Sequence, residues 1–276
     1  MADQETIFYI EDVAQRLRRN VVYSIGIGNA GHLGGSMSIS DVVAALYFYK
    51  MKFDPKDLEK PDRDRFVMSK GHAALTQYAA LTELGIYSQE QLRTTKSLHS
   101  VFQGHPDYKK TRGLEAGTGS LGQGLSVGLG MALALKAQKV DSMVYVVVGD
   151  GEQNEGQIWE AAMAASNFSV DNLVAILDKN GLQASGAVKD VFDVPNIAEK
   201  WTAFGWNVIE IDGHDVEEIV NALDATDQKN GRPTMIVAHT IKGKGVSFAE
   251  NNPGFHNMPL TQELYDQALL DIERKF

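Results

Sequence analysis

The chain has 276 residues, 43% hydrophobic and 22% charged, which fits a folded protein with a large core. A net charge of -10 argues against a nucleic-acid partner, because neutralising phosphates needs clustered Lys and Arg. The absence of cysteine excludes disulfides, thiolate metal sites and cysteine nucleophiles.

The first residues, MADQETIFYIED, lack the basic start and apolar centre of a secretory signal. No apolar run reaches the ~20 residues of a membrane span. A cytoplasmic chain with no membrane partner is therefore expected. Ile10, Val13, Ala14, Leu17, Val21 and Ile25 recur at spacings of three and four and predict a helix that runs into Gly26. The GIGNAG that follows is a literal G-x-G-x-x-G. A dinucleotide cradle needs a strand before its first glycine, so the pattern reads instead as a helix end followed by a Gly-rich loop.

A second helix is expected from Ser38 or Ser40, carrying Val42, Val43, Leu46 and Tyr49. A polar loop follows over 51–64, then a short strand, RFVMS, and a helix through KGHAALTQYAALTELG that stops at Gly85. Residues 93–120 read as irregular. LGQGLSVGLGMALALKAQ, over 121–138, is a helix lined with small residues. MVYVVV (143–148) and LVAILD (173–178) are continuous apolar runs of the kind found in buried parallel strands. Between them lies the helical GQIWEAAMAASNF. NVIEID (207–212), a helix from about Asp215 and TMIVAHT (234–240) continue the alternation. The pattern predicts an α/β fold with a doubly wound parallel sheet, helices on both faces, and one domain over 1–276. There is no internal repeat, low-complexity segment or obvious linker.

Ligands of such sheets bind beyond the C-terminal strand ends. Asp150, between Gly149 and Gly151, follows the first long apolar strand, and Asn180 follows the second. Adjacent strands would bring these two side chains together. A carboxylate and an amide oxygen are hard ligands that suit Mg²⁺ or Ca²⁺, and Mg²⁺ commonly borrows phosphate oxygens to complete its octahedron. Glycines permit close backbone approach to a diphosphate, and a helix beginning near Glu155 would offer its positive end. The other reading of these residues is an Asx-turn at Asp150 and a turn at Asn180-Gly181.

GDG, about 30 residues, then Asn resembles the thiamine-diphosphate motif. GHLGGS, SKGHA, QGHPD, TGSLGQG, GDGEQNEG, DKNGLQASG, FGWNVIEIDGHD and KGKG, in this order over nearly the whole chain, resemble the diphosphate-binding portion of transketolase. The resemblance implies thiamine diphosphate as cofactor with Mg²⁺, for which Ca²⁺ or Mn²⁺ can substitute. It implies Asp150, Asn180 and the Leu182 carbonyl as metal ligands, Gly151 and Glu152 beside the diphosphate, and Gly119, Ser120 and Leu121 in the loop that meets the aminopyrimidine. His32, His72, His105 and His256 match catalytic histidines, with His72 near the cofactor and His32 and His105 facing the donor sugar. Glu155 matches an acid at the subunit interface, unless it only complements a helix dipole. Lys242 matches a basic residue near the cofactor, with a solvated surface lysine as the alternative. Asn29-Ala30 and Leu33 depart from the family pattern beside the donor site and leave the sugar open.

The family's pyrimidine-side glutamate and substrate-phosphate arginines have no counterpart here. The resemblance therefore implies a separate C-terminal subunit with pyrimidine-binding and C-terminal domains, an α2β2 assembly, and inactivity without that partner. The implied reaction moves a two-carbon ketol unit from a ketose or its phosphate to an aldose or its phosphate. Alternatives are an enzyme for a branched or sulfonated ketose, a 1-deoxyxylulose-5-phosphate synthase relative, the alpha subunit of another thiamine-diphosphate enzyme, and a subunit that binds without turnover.

Overall fold

The computed structural model describes residues 2–273. Among the described residues nine strands occur in chain order: β1 Ala30–Gly31, β2 Arg65–Met68, β3 Val144–Gly149, β4 Leu173–Lys179, β5 Leu182–Gln183, β6 Gly186–Ala187, β7 Asn207–Asp212, β8 Thr234–His239 and β9 Met258–Pro259. Five of them form one parallel sheet in the order β2-β3-β4-β8-β7. Its centre is apolar on both faces, as the uninterrupted valine and leucine runs require.

Two cores follow from the alternation of side chains along these strands. Tyr145, Val147, Val174 and Ile176 face one core, packed with helix Gln4–Ile25, helix Ala74–Glu83 and helix Val216–Ala225. Val144, Val146, Val148, Ala175 and Leu177 face the other, packed with helix Gln123–Ala137 and helix Gly156–Asn167. The expected doubly wound α/β architecture is present.

Helix Gln4–Ile25 begins earlier than its apolar spacing suggested, because Asp3 caps it by accepting from the Thr6 amide at 2.9 Å. It ends at Gly26, so a helix and not a strand enters GIGNAG. The expected helix does start at Ser40, over Ser40–Ala45, but a first segment, Leu33–Ser38, precedes it, and His32 stands at the N-terminus of that segment. The whole first segment is buried, and that burial overrides the weak helix propensity of Gly34 and Gly35. The Gly-rich stretch thus presents His32 on a helix end.

The register pairs Gly149 of β3 with Asp178 of β4. Asp150 and Asn180 therefore emerge at one edge of the sheet. At the same end, β1 pairs antiparallel with β9, tying the segment before His32 to the segment after His256.

Candidate active site

A cavity of about 260 Å³ opens at this edge, lined by Gly35, Lys70, His72, Leu121, Gly149, Asp150, Gly151, Glu152, Asp178, Asn180, Gln183, Ala184, Ser185, Lys242 and His256. Its floor is a buried charge network. Asp178 is fully buried and accepts from Lys70 Nζ at 2.5 Å, Ser38 Oγ at 2.7 Å, Asn180 Nδ2 at 2.8 Å and also Thr240 Oγ1. Burial alone would raise its carboxyl. The Lys70 charge and these hydrogen bonds hold it below the usual carboxylate range. Lys70 also donates to the Gly35 carbonyl at 2.8 Å.

Lys70 and Asp178 escaped sequence reasoning, although both lie inside the quoted SKGHA and DKNGLQASG. The available signal was an acid closing an apolar strand and a lysine directly after one. Charges at such positions need partners once buried.

Asp150 accepts from the Gly181 amide. Burial, with a smaller contribution from the Asp178 charge, pushes its carboxyl up to about 6. Asn180 uses its Oδ1 to accept from the Leu182 amide at 3.0 Å and its amide nitrogen to bond Asp178, so the expected turn at Asn180-Gly181 is present, whereas the side chain of Asp150 bonds the distant Gly181 amide. Among the described residues no cluster of three His, Cys, Asp or Glu could hold a metal unaided. Asp150, the Asn180 amide oxygen and the Leu182 carbonyl offer hard oxygen donors with a single charge, a set that suits a divalent ion sharing phosphate oxygens. At Gly151 a Cβ would stand 2.6 Å from Gln183 Oε1, so only glycine permits that approach of the two loops.

Lys242 is 2% exposed, which rules out the surface-lysine alternative. Its ammonium reaches His256 Nδ1 at 3.0 Å and the Leu182 carbonyl at 3.4 Å. Burial, with the Lys70 charge adding to it, lowers it to about 8. Two ammonium groups in one cavity, with hard oxygens beside them, fit a metal-bound diphosphate.

The four candidate histidines converge. The His32 ring lies 5.4 Å from His72, 5.6 Å from His105 and 5.3 Å from His256, and His72 lies 4.9 Å from His256. Each arrives from a different element: the helix start at Leu33, the short helix Gly71–Ala73 after β2, the irregular segment before Gln123, and the end of helix Pro253–Phe255. His72 and His256 line the cavity, and His32 and His105 extend the cluster away from it. Burial first, and neighbouring positive charges second, lower His32 to about 3, His72 to about 2 and His256 to about 4, and lower His105 as well. All four are neutral at pH 7. A lysine ammonium only donates, so His256 Nδ1 accepts and its proton sits on Nε2.

The remaining expected residues divide. Leu121 lines the cavity, whereas Ser120 is exposed. Gly119, at φ +126, backs His105, and a Cβ there would lie 2.7 Å from the imidazole Cδ2. Glu152 has both oxygens engaged. One accepts from Ser69 Oγ at 2.5 Å and the Gly122 amide at 2.9 Å, and the other from the Gly149 amide at 2.9 Å. It therefore fixes the two glycine loops against each other. Glu155 is exposed and lies outside the cavity lining, and the helix after it starts at Gly156 behind a short turn Gly151–Asn154.

Residues 10–269 match the family model described as transketolase, thiamine diphosphate binding domain. The chain belongs to that family. Two proteins named as transketolase subunits are among its relatives. The 6-deoxy-6-sulfo-D-fructose transketolase subunit of a Clostridium species is 42% identical over 96% of this chain and 97% of that protein. An apulose-4-phosphate transketolase subunit from Phocaeicola vulgatus is 41% identical over 96% of this chain and 94% of that protein. Human transketolase is 37% identical, and the match spans 98% of this chain but 43% of that protein. Among solved structures, a Pichia stipitis transketolase variant in complex with fructose 6-phosphate superposes with a TM-score of 0.90 at 31% identity, over 96% of this chain and 40% of that one. The Leishmania mexicana transketolase gives 0.90 at 33%, over 99% and 42%. The parallel sheet is thus the transketolase thiamine-diphosphate-binding fold. Among the described residues no helix is long and apolar enough to cross a membrane.

Proposed function

We propose that residues 1–276 are one cofactor-binding domain acting as a subunit of a split transketolase, which moves a two-carbon ketol unit from a ketose or its phosphate to an aldose or its phosphate. The observation that carries this reading is the junction of two groups in one place, a hard-oxygen and lysine floor and a cluster of four neutral imidazoles. When bound, thiamine diphosphate supplies the electron sink for cleaving the bond next to the ketose carbonyl.

The chain's residues take roles around that chemistry. Asp150, the Asn180 amide oxygen and the Leu182 carbonyl hold Mg²⁺. Lys70 and Lys242 offset diphosphate charge across the close approach at Gly151, and Leu121 packs beside the cofactor. Glu152 holds the glycine loops that shape the cradle. His256, protonated on Nε2, donates to a sugar oxygen. The other neutral imidazoles accept or return hydroxyl protons as the carbon–carbon bond breaks and forms, and His32 bridges the group.

The match to nearly the whole of two proteins named as subunits, against less than half of human transketolase, supports a separate partner chain. We place pyrimidine binding and the pyrimidine-side acid on that partner, in an α2β2 assembly. The first relatives are named for a sulfonated and a branched sugar, which favours an unusual ketose as donor.

The test is assay of this chain alone, and together with its neighbouring gene product, against a panel of ketoses and aldoses with thiamine diphosphate and Mg²⁺. Turnover only in the mixture is expected. Ordinary enzymic rates from this chain alone, or no cofactor binding by the mixture in calorimetry, would refute the reading.

A further inference from the structure

A second buried network ends at the residue before Lys242. Arg18, on helix Gln4–Ile25, forms a two-pronged pair with Asp41 of helix Ser40–Ala45, with nitrogen–oxygen distances of 3.0 and 2.5 Å. Asp41 also meets His214 Nδ1 at 2.7 Å. The Ile241 amide donates to His214 Nε2 at 2.8 Å. All three side chains are at most 10% exposed. The donors settle the ring's tautomer. A backbone N–H can only donate, so Nε2 is the acceptor, and Nδ1 carries the proton it gives to Asp41.

The next residue in the chain is Lys242. Its loop is also held where the Thr240 amide donates to the Lys179 carbonyl at 3.2 Å, the Gly243 amide to the Gly34 carbonyl at 2.9 Å and the Asn251 amide to the Lys242 carbonyl at 2.9 Å. A chain of hydrogen bonds runs from Arg18 through Asp41 and His214 to the Thr240–Ile241 peptide, one residue before the lysine.

We propose that His214 is a positioning residue for Lys242: through its Nε2 it fixes the Thr240–Ile241 peptide, directly before Lys242, and thereby aims the lysine at His256 and the diphosphate cradle. His214 is absent from the lining of the active-site cavity. The inference rests on the cofactor reading of Lys242, and its test separates the two.

Two substitutions divide the ring's functions. In His214→Gln the side-chain oxygen reaches the Nε2 position and still accepts from Ile241. In His214→Asn the amide reaches the Nδ1 position and still donates to Asp41, but nothing is left for Ile241. Three quantities are read: amide hydrogen exchange at Ile241 and thermal unfolding on the full chain, and calorimetric affinity for thiamine diphosphate with Mg²⁺ on the chain mixed with its neighbouring gene product. In H214N, Ile241 exchange should quicken at least tenfold and cofactor affinity should fall about tenfold, whereas H214Q should stay within threefold of the parent in both.

A purely structural His214 would lower the unfolding temperature in both variants alike and leave exchange and affinity the same in both, which overturns the proposal. Faster Ile241 exchange in H214N with undiminished cofactor affinity also overturns it. If the parent chain mixed with that gene product binds no cofactor, the cofactor reading fails. The exchange contrast between H214N and H214Q then decides alone whether His214 fixes the peptide.

Discussion

Replacing Asp178 with Asn tests the charge network under the cavity. The carboxylate is fully buried and receives four donors: Lys70, Ser38, Asn180 and Thr240. An amide has one acceptor oxygen, and only the Ser38 and Thr240 hydroxyls could accept from its NH2, because Lys70 and the Asn180 amide nitrogen cannot. Lys70, at 1% exposure, would lose its charged partner and keep the Gly35 carbonyl and at most a share of one neutral oxygen. Removing one partner of such a pair destabilises by about 3–5 kcal/mol. That is a large part of the roughly 5–15 kcal/mol that holds a folded domain.

Urea unfolding followed by tryptophan fluorescence reads this directly, because Trp201 and Trp206 are buried. Lys70→Met alone should lose a similar amount, because it strands the carboxylate. The double variant K70M/D178N should lose at least about 2 kcal/mol less than the sum of the two single losses, since the groups interact directly. Additive losses, or a single-variant loss under about 1 kcal/mol, would show that the pair does not carry the floor.

Three other outcomes are expected. Asp150→Ala should abolish Mg²⁺-dependent thiamine diphosphate binding in calorimetry while leaving the unfolding transition in place, and unchanged affinity would reject the metal assignment. Gly119→Ala places a Cβ 2.7 Å from the His105 ring on a backbone at φ +126, so it should lower stability by about 1–3 kcal/mol and reduce kcat in the assembled enzyme; an unaltered His105 imidazole NMR signal would count against it. His72, with its pKa depressed to about 2, binds no proton in the folded chain where the unfolded chain begins to bind one near pH 6.5. Its contribution to stability is therefore complete above pH 6.5 and declines as pH falls below it, on the order of 1 kcal/mol per pH unit. His72→Gln should flatten the acid limb of a stability–pH curve, and an identical slope in parent and variant would contradict the buried neutral ring.

The sheet was legible because its strands announce themselves. MVYVVV and LVAILD are uninterrupted apolar runs, and parallel strands buried on both faces demand that pattern. The juxtaposition of Asp150 and Asn180 followed from a single β-α-β spacing. The four histidines were placed by motif, and their meeting is a product of tertiary structure. What stayed hidden was long-range pairing. Lys70 and Asp178 lie 108 residues apart, and no local periodicity links them. The helix at Leu33 was hidden for a related reason, since its glycines speak against a helix and only the surrounding core makes one. Glu152 sat within a recognised motif, but its part in tying Gly122 to Gly149 depends on a loop from elsewhere in the chain.

The antiparallel clasp between Ala30–Gly31 and Met258–Pro259 imposes an order on assembly. His32 leaves the ribosome early and His256 long after it, so the imidazole quartet cannot close until nearly all of this domain has been made. A nascent chain halted before Phe255 would already contain Asp150 and Asn180 but would lack both His256 and the strap that follows it.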